Sequence, residues 1–136
     1  MLCLDRNKFK EIPMAVTKLR SLKCLHMNDN RLVKLHQKYA PIKKPNTRFN
    51  IIHSLRDLVD LRYLWLRRNR LKELSTQLCT VRRLAVVHLE SNFIEHISDA
   101  IGIMQHLKQL YASGHTLLLF SMQRLAFSSQ CDLDTS

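Results

Sequence analysis

The residues best suited to recognising another molecule lie in one short stretch, residues 61–71, which reads LRYLWLRRNRL. Tyr63 and Trp65 alternate with leucines in this stretch. The basic side chains that follow are Arg67, Arg68 and Arg70. Aromatic rings bury apolar area at an interface, and guanidinium groups pair with carboxylates through two parallel hydrogen bonds. Because tyrosine, tryptophan and arginine are the commonest anchors of protein interfaces, the stretch predicts a surface that binds a protein with an acidic segment.

Catalytic and metal chemistry find little support in the same sequence. Its two glycines, Gly102 and Gly114, are too few and too far apart for a loop that cradles phosphate groups. The scattered cysteines lack the paired spacing of a zinc site or a disulfide framework: Cys3, Cys24, Cys79 and Cys131. No serine or cysteine has the histidine and carboxylate that would activate it as a nucleophile. The sequence therefore predicts a non-enzyme without cofactor or bound metal.

Composition sets the broad class of the protein. The 136 residues are 46% hydrophobic, which is enough for one compact domain or one short repeat array. Lysine and arginine number 22 against 11 acidic residues, so the surface field favours acidic proteins, nucleic acid or anionic membranes. No apolar stretch approaches the roughly 18 residues of a membrane-spanning helix. We therefore expect a soluble cytoplasmic protein with reduced thiols, and the nucleus is the alternative location.

An internal repeat organises the chain and positions these residues. The pattern L-x-x-L-x-L-x-x-N-x-L begins at Leu22, Leu61 and Leu84, with a partial copy from Leu2 and a decayed copy from Leu107. The step is 23 residues from Leu61 to Leu84 and again to Leu107, but 39 residues from Leu22 to Leu61. The pattern predicts an array of about five units over residues 1–117, with an insertion at residues 36–54.

This pattern and period resemble the leucine-rich repeat proteins. Ile12-Pro13 and the apolar pair that ends each unit are most similar to the intracellular subclass that includes the Ras-suppressor proteins. The resemblance implies an α/β fold, a right-handed solenoid with a short parallel concave sheet and a helical or irregular convex side. It also implies a scaffold or adaptor that binds proteins.

The residues themselves lead to the same arrangement. Side chains alternate along a strand, so Leu64 and Leu66 point into the core while Tyr63 and Trp65 point outward. The asparagines recur where each unit turns and are expected to bond the backbone of neighbouring coils: Asn7, Asn30, Asn69 and Asn92. The convex side of the core is expected to be closed by Val16/Leu19, Leu55/Leu58, Leu78/Val81 and Ile101/Met104. Residues 118–136 are expected to form a capping segment with a polar tail, and the chain to be monomeric unless another chain covers an uncapped end.

Aligning the units places outward residues in columns on the concave face. One column contains Cys3, His26, Trp65, His88 and Tyr111, and another contains Lys8, Arg31, Arg70, Phe93 and Thr116. The predicted partner-binding residues are Tyr63, Trp65, Arg67, Arg68, Arg70, His26, His88, Tyr111 and Phe93. In the alternative interpretation, Trp65 shields itself against His26 and His88 and binds nothing.

Two other functions stay open at this stage. The first is binding of RNA or another polyanion through basic residues in the insertion and beyond it: Lys38, Lys43, Lys44, Arg48, Arg82 and Arg83. In the competing interpretation, the insertion binds nothing and is a solvated loop on the edge or convex side of the array. The second is a truncated product without a function of its own.

Overall fold

The computed structural model describes residues 1–35, 55–74, 76, 78–97, 99–113 and 132–134. The insertion at residues 36–54 lies outside this part of the chain, and so does most of the predicted capping segment.

Short parallel strands build the sheet. The strands are β1 (Leu2–Cys3), β2 (Cys24–His26), β3 (Tyr63–Trp65), β4 (Glu73–Leu74), β5 (Val86–His88), β6 (His96–Ile97), β7 (Gln109–Tyr111) and β8 (Asp132–Asp134). In the described residues, six of them form one sheet in the order β1-β2-β3-β5-β7-β8, and β4 pairs with β6 in a second, two-stranded sheet. Every pairing is parallel, as the repeat pattern predicts.

The strand register follows the leucine pattern from coil to coil. Leu25 lies opposite Leu64, Leu64 opposite Val87, and Val87 opposite Leu110. All four side chains are buried, with at most 3% of their surface exposed. A slip of one residue would turn these side chains out to solvent, so their burial fixes the register. The 39-residue step between β2 and β3 leaves the register unchanged.

Short helical turns form the convex side. These are the α-helix α1 (Met14–Thr17) and 3₁₀ helices at Leu55–Asp57, Leu78–Thr80 and Asp99–Ile103. The prediction of a helical or irregular convex side is confirmed. The apolar pairs close the core as expected in the later coils, but Leu19 is 45% exposed, so the prediction was wrong for this residue. No described coil packs against the outer side of the first coil, which leaves Leu19 uncovered.

An asparagine ladder joins successive coils inside the core. The side-chain amide of Asn69 donates to the carbonyls of Met27 and Leu66, both at 2.9 Å. Its Oδ1 accepts the backbone N–H of Leu32 at 3.0 Å, so one side chain satisfies groups in two coils. The corresponding asparagines of the neighbouring coils, Asn30 and Asn92, make the equivalent bonds.

Asn7 does not belong to the interior ladder that the sequence predicted. Its side chain is exposed and donates only within its own turn, to the carbonyls of Leu4 and Asp5 at 3.0 Å each. No described coil precedes it, so it has no neighbouring backbone to bond.

The residue before each asparagine adopts a left-handed backbone conformation. Its φ angle is 56° at Arg6, 53° at Asp29, 53° at Arg68 and 56° at Ser91. This conformation brings Cβ close to the backbone and costs roughly 1–2 kcal/mol for a residue other than glycine. The turns at these four residues therefore carry strain, and at Asp29, Arg68 and Ser91 the next residue is an asparagine of the buried ladder.

Candidate functional site

The strand register brings four aromatic rings into one continuous stack on the concave face. The ring stack consists of His26, Trp65, His88 and Tyr111, one ring from each of four neighbouring strands. Successive ring centroids are 4.8, 4.1 and 4.3 Å apart, with interplanar angles of 8°, 17° and 8°. Neighbouring strands lie about 4.8 Å apart, so residues at equivalent positions can place flat rings face to face.

Trp65 lies inside this stack and is only partly exposed. Imidazole rings cover both faces of its indole, so Trp65 is less open to a partner than the sequence prediction assumed. The stacking of Trp65 against His26 and His88, which the alternative interpretation includes, is present, and the role of Trp65 in binding stays a prediction. Its Nε1 atom is buried without a hydrogen bond of regular geometry. The nearby Cys24 thiol is partly buried, and burial raises its pKa, although the Met1 amino group and the Trp65 indole act in the opposite direction.

Carboxylates lie beside both histidines of the ring stack. His88 Nδ1 is 3.0 Å from Glu90 Oε1, and the two side chains are only 17% and 19% exposed. His26 Nδ1 lies 4.0 Å from Asp5 Oδ2. The second carboxylate oxygen of Glu90, Oε2, is buried without a hydrogen-bond partner. The stack is thus flanked on one side by acidic residues: Glu90 lies two positions after His88 in the same coil, whereas Asp5 lies in the coil before that of His26.

A second polar ladder runs along the same side of the ring stack. Asp5 Oδ1 accepts the backbone N–H of Asn28 at 2.6 Å, and Asn28 Oδ1 accepts that of Arg67 at 2.9 Å. This ladder was not predicted from the sequence. The available signal was the recurrence of a short side chain with an acceptor oxygen at this position in consecutive units.

The other members of the predicted site are exposed. Tyr63 is 43% exposed and Phe93 is 59% exposed, so both present more ring surface than Trp65 does. Exposed guanidinium groups lie beyond the strand ends, on Arg67, Arg68 and Arg70. Arg68 Nη1 is 3.7 Å from Asp29 Oδ1, and this pair is well exposed and therefore weak.

The residues of the polyanion alternative do not meet in one described site. Arg82 and Arg83 are exposed on the loop that leads into β5, away from the ring stack, and Arg83 Nη1 contacts Asp60 at 2.6 Å. The remaining four, Lys38, Lys43, Lys44 and Arg48, lie outside the described residues.

The described residues hold no group of three histidine, cysteine or acidic side chains arranged to bind a metal ion. Within the same residues, no helix is long and apolar enough to cross a membrane.

Comparison with solved structures identifies the fold. The chain superimposes on a leucine-rich repeat protein of Leptospira interrogans with a TM-score of 0.77 and 21% identity, over 98% of this chain and 30% of that one. This chain has a leucine-rich repeat fold. An internalin of Listeria monocytogenes matches this repeat array with a TM-score of 0.56 and 16% identity, over 93% of this chain and 38% of the other.

The repeat array thus spans well under half the length of either structure. No protein-family model and no curated protein matches its sequence. At these identities the likeness establishes the fold alone, and the resemblance to the Ras-suppressor subclass stays a prediction.

Proposed function

We propose that this chain is a protein-binding scaffold or adaptor whose concave face holds a partner with an acidic segment. The observation that carries the proposal is the ring stack, which is flanked by exposed aromatic and basic side chains on one rigid sheet. A partner would meet side chains that are already ordered.

Pre-ordering favours association because binding then loses little side-chain and backbone entropy. Immobilising one flexible side chain costs about 0.5–1.5 kcal/mol, and the rings of the stack are already fixed by their neighbours. The backbone that carries these rings is held by the hydrogen bonds between the parallel strands and by the asparagine ladder. The stack therefore offers a partner one ordered, partly apolar surface, and its rings do not act as separate anchors.

Tyr63 and Phe93 are the better candidates for anchors. Tyr63 precedes the stack on β3, whereas Phe93 follows the asparagine turn of the next unit, so the two exposed rings lie toward opposite ends of the strands. Burying an aromatic ring at the centre of an interface is often worth about 2 kcal/mol or more, or roughly 30-fold in affinity.

The charges of the concave face favour an acidic partner. Asp5, Asp29 and Glu90 already contact histidine or arginine side chains. Arg67 and Arg70, by contrast, are exposed and make no ion pair with a described residue. Their guanidinium groups suit carboxylates of a partner, which would accelerate encounter and exclude basic competitors.

The experiment is affinity capture from cell lysate with the intact chain and three variants. Tyr63→Ser with Phe93→Ser tests the anchors, and Arg67→Ser with Arg70→Ser tests the charges. Met14→Ser is the matched control, because Met14 is 48% exposed on the convex helix α1. We expect a set of proteins that both concave variants lose and the control retains, as measured by quantitative mass spectrometry.

Retention of the same proteins by all variants would contradict the proposal. Polyanion binding is distinguished by repeating the capture after nuclease treatment and at raised salt. Contacts to phosphate groups weaken steeply with ionic strength, whereas contacts made by buried rings weaken only modestly.

A further inference from the structure

A second group of basic residues lies on the convex helical turns and on the loops that run from them into the strands, away from the exposed arginines of the proposed concave site. Three adjoining clefts open there, with volumes of about 290, 390 and 540 Å³. We call them the strand-start clefts. Their basic lining residues are Arg56, Arg62, Arg82, Arg83, His106 and Lys108.

The clefts adjoin because they share lining residues. Arg82 lines both the 390 and the 540 Å³ cleft, and Arg56 does so too. His106 lines the 540 and the 290 Å³ clefts, and Arg83 lines the 390 and the 290 Å³ clefts. The result is one cationic surface that crosses three consecutive coils.

Positive charge is in excess on this surface. Among the described lining residues, Asp60 is the one carboxylate, and it already receives Arg83 Nη1 at 2.6 Å. Arg62 and Arg82 are exposed and make no ion pair with a described residue. Cations held this close repel one another, so an anion that bridges them would be bound favourably.

The spacing of the coils determines which anion fits. Equivalent residues of consecutive coils are separated by about 4.8 Å at the sheet, so the cations recur on a scale of about 5 Å along the surface. A ligand with several phosphate groups can therefore place oxygens against the cations of more than one coil. Guanidinium groups bind phosphate oxygens bidentately, and the two larger clefts have volumes in the range of small-ligand sites, about 300–1,000 Å³.

We infer that the strand-start clefts bind a ligand that carries several adjacent phosphate groups, either free or as a lipid headgroup. Single-stranded nucleic acid is disfavoured because the described lining residues include no tyrosine, phenylalanine or tryptophan on which bases could stack. This site is separate from the concave face, and it does not depend on the proposed protein partner.

The test is calorimetric titration of the full chain with inorganic tripolyphosphate at about 0.15 M ionic strength, where charges are screened beyond about 8 Å. Arg62→Gln with Arg82→Gln is expected to weaken binding about tenfold or more, because each replacement removes a charge-assisted contact. Arg67→Gln with Arg70→Gln is the matched control. It removes the same charge at the opposite ends of the strands and is expected to change the affinity less than about twofold.

Equal weakening by the two double variants would overturn the inference, because attraction would then come from the overall charge of the chain. Failure of the concave protein-binding proposal would leave this result unaffected, since the decisive variant, Arg62→Gln with Arg82→Gln, and the ligand are not used in the capture experiment.

Sedimentation with phosphatidylcholine vesicles distinguishes the two sources of phosphate. Vesicles that contain a phosphatidylinositol bisphosphate are compared with vesicles of equal charge that contain phosphatidylserine. Preference for the phosphoinositide vesicles supports a lipid headgroup, and binding of tripolyphosphate without vesicle binding supports a free ligand. Equal binding to both vesicles, or RNA binding that Arg62→Gln with Arg82→Gln leaves unchanged, would overturn the inference.

Discussion

Replacing Trp65 by alanine tests whether the ring stack contributes to stability. The substitution removes two face-to-face contacts, at 4.8 Å to His26 and at 4.1 Å to His88. Each such aromatic contact is worth about 0.5–1.5 kcal/mol beyond the apolar area that it buries. Losing both should lower the free energy of unfolding by about 1–3 kcal/mol. In a chain of this length, that change corresponds to a drop in Tm of roughly 4–12 °C.

The matched control is Tyr63→Ala on the same strand. Tyr63 is 43% exposed and has no stacked partner among the described rings, so its replacement should change stability by less than about 0.5 kcal/mol. Both variants are followed by thermal circular dichroism and urea unfolding, because the Trp65 variant lacks the only tryptophan of the chain. If Trp65→Ala melts within a degree or two of Tyr63→Ala, the stack contributes no stability and the reasoning fails.

Three further predictions follow from the core, the thiols and the turns. Asn69→Leu should destabilise the fold by more than about 3 kcal/mol in urea unfolding, because it leaves buried backbone groups in two coils without hydrogen-bond partners. Asn7→Leu should have little effect, and similar losses of stability in the two variants would contradict the role of the asparagine ladder. Burial raises the pKa of the Cys79 thiol above its usual 9.0, so alkylation at neutral pH, mapped by mass spectrometry, should label exposed Cys3 well before Cys79. Ser91→Gly should raise the unfolding free energy by up to about 1 kcal/mol, since glycine adopts the φ of 56° without strain; a lower urea midpoint would refute this.

The fold was predictable because large apolar residues recur at a fixed period along the chain. Leu25, Leu64, Val87 and Leu110 share one position in the repeat, and a position that must be buried in every coil fixes the register of every strand. The 39-residue step could be recognised as an insertion because the pattern resumes in phase at Leu61. Strand β8 was not predicted, since residues 132–134 lie beyond the recognisable repeat and carry no copy of it.

For the candidate site, the sequence predicted only which residues occupy equivalent positions in successive coils. Alignment places His26, Trp65 and His88 on the same face, but it leaves their side-chain torsions undetermined, and those torsions decide whether the rings stack or stand apart. Leu19 shows the same limit in the core. The repeat treats all coils as equivalent, whereas burial depends on having a coil on each side.

The 39-residue step between the units of β2 and β3 has a consequence for folding entropy. The free energy of closing a loop grows with the logarithm of its length, so 39 residues in place of 23 add only about 0.5 kcal/mol. The buried side chains Leu35 and Leu55 flank the connection, and the backbone bonds between β2 and β3 match those between other strands. Lengthening this step further is therefore expected to change the free energy of unfolding little, since doubling it would add only about 0.6 kcal/mol.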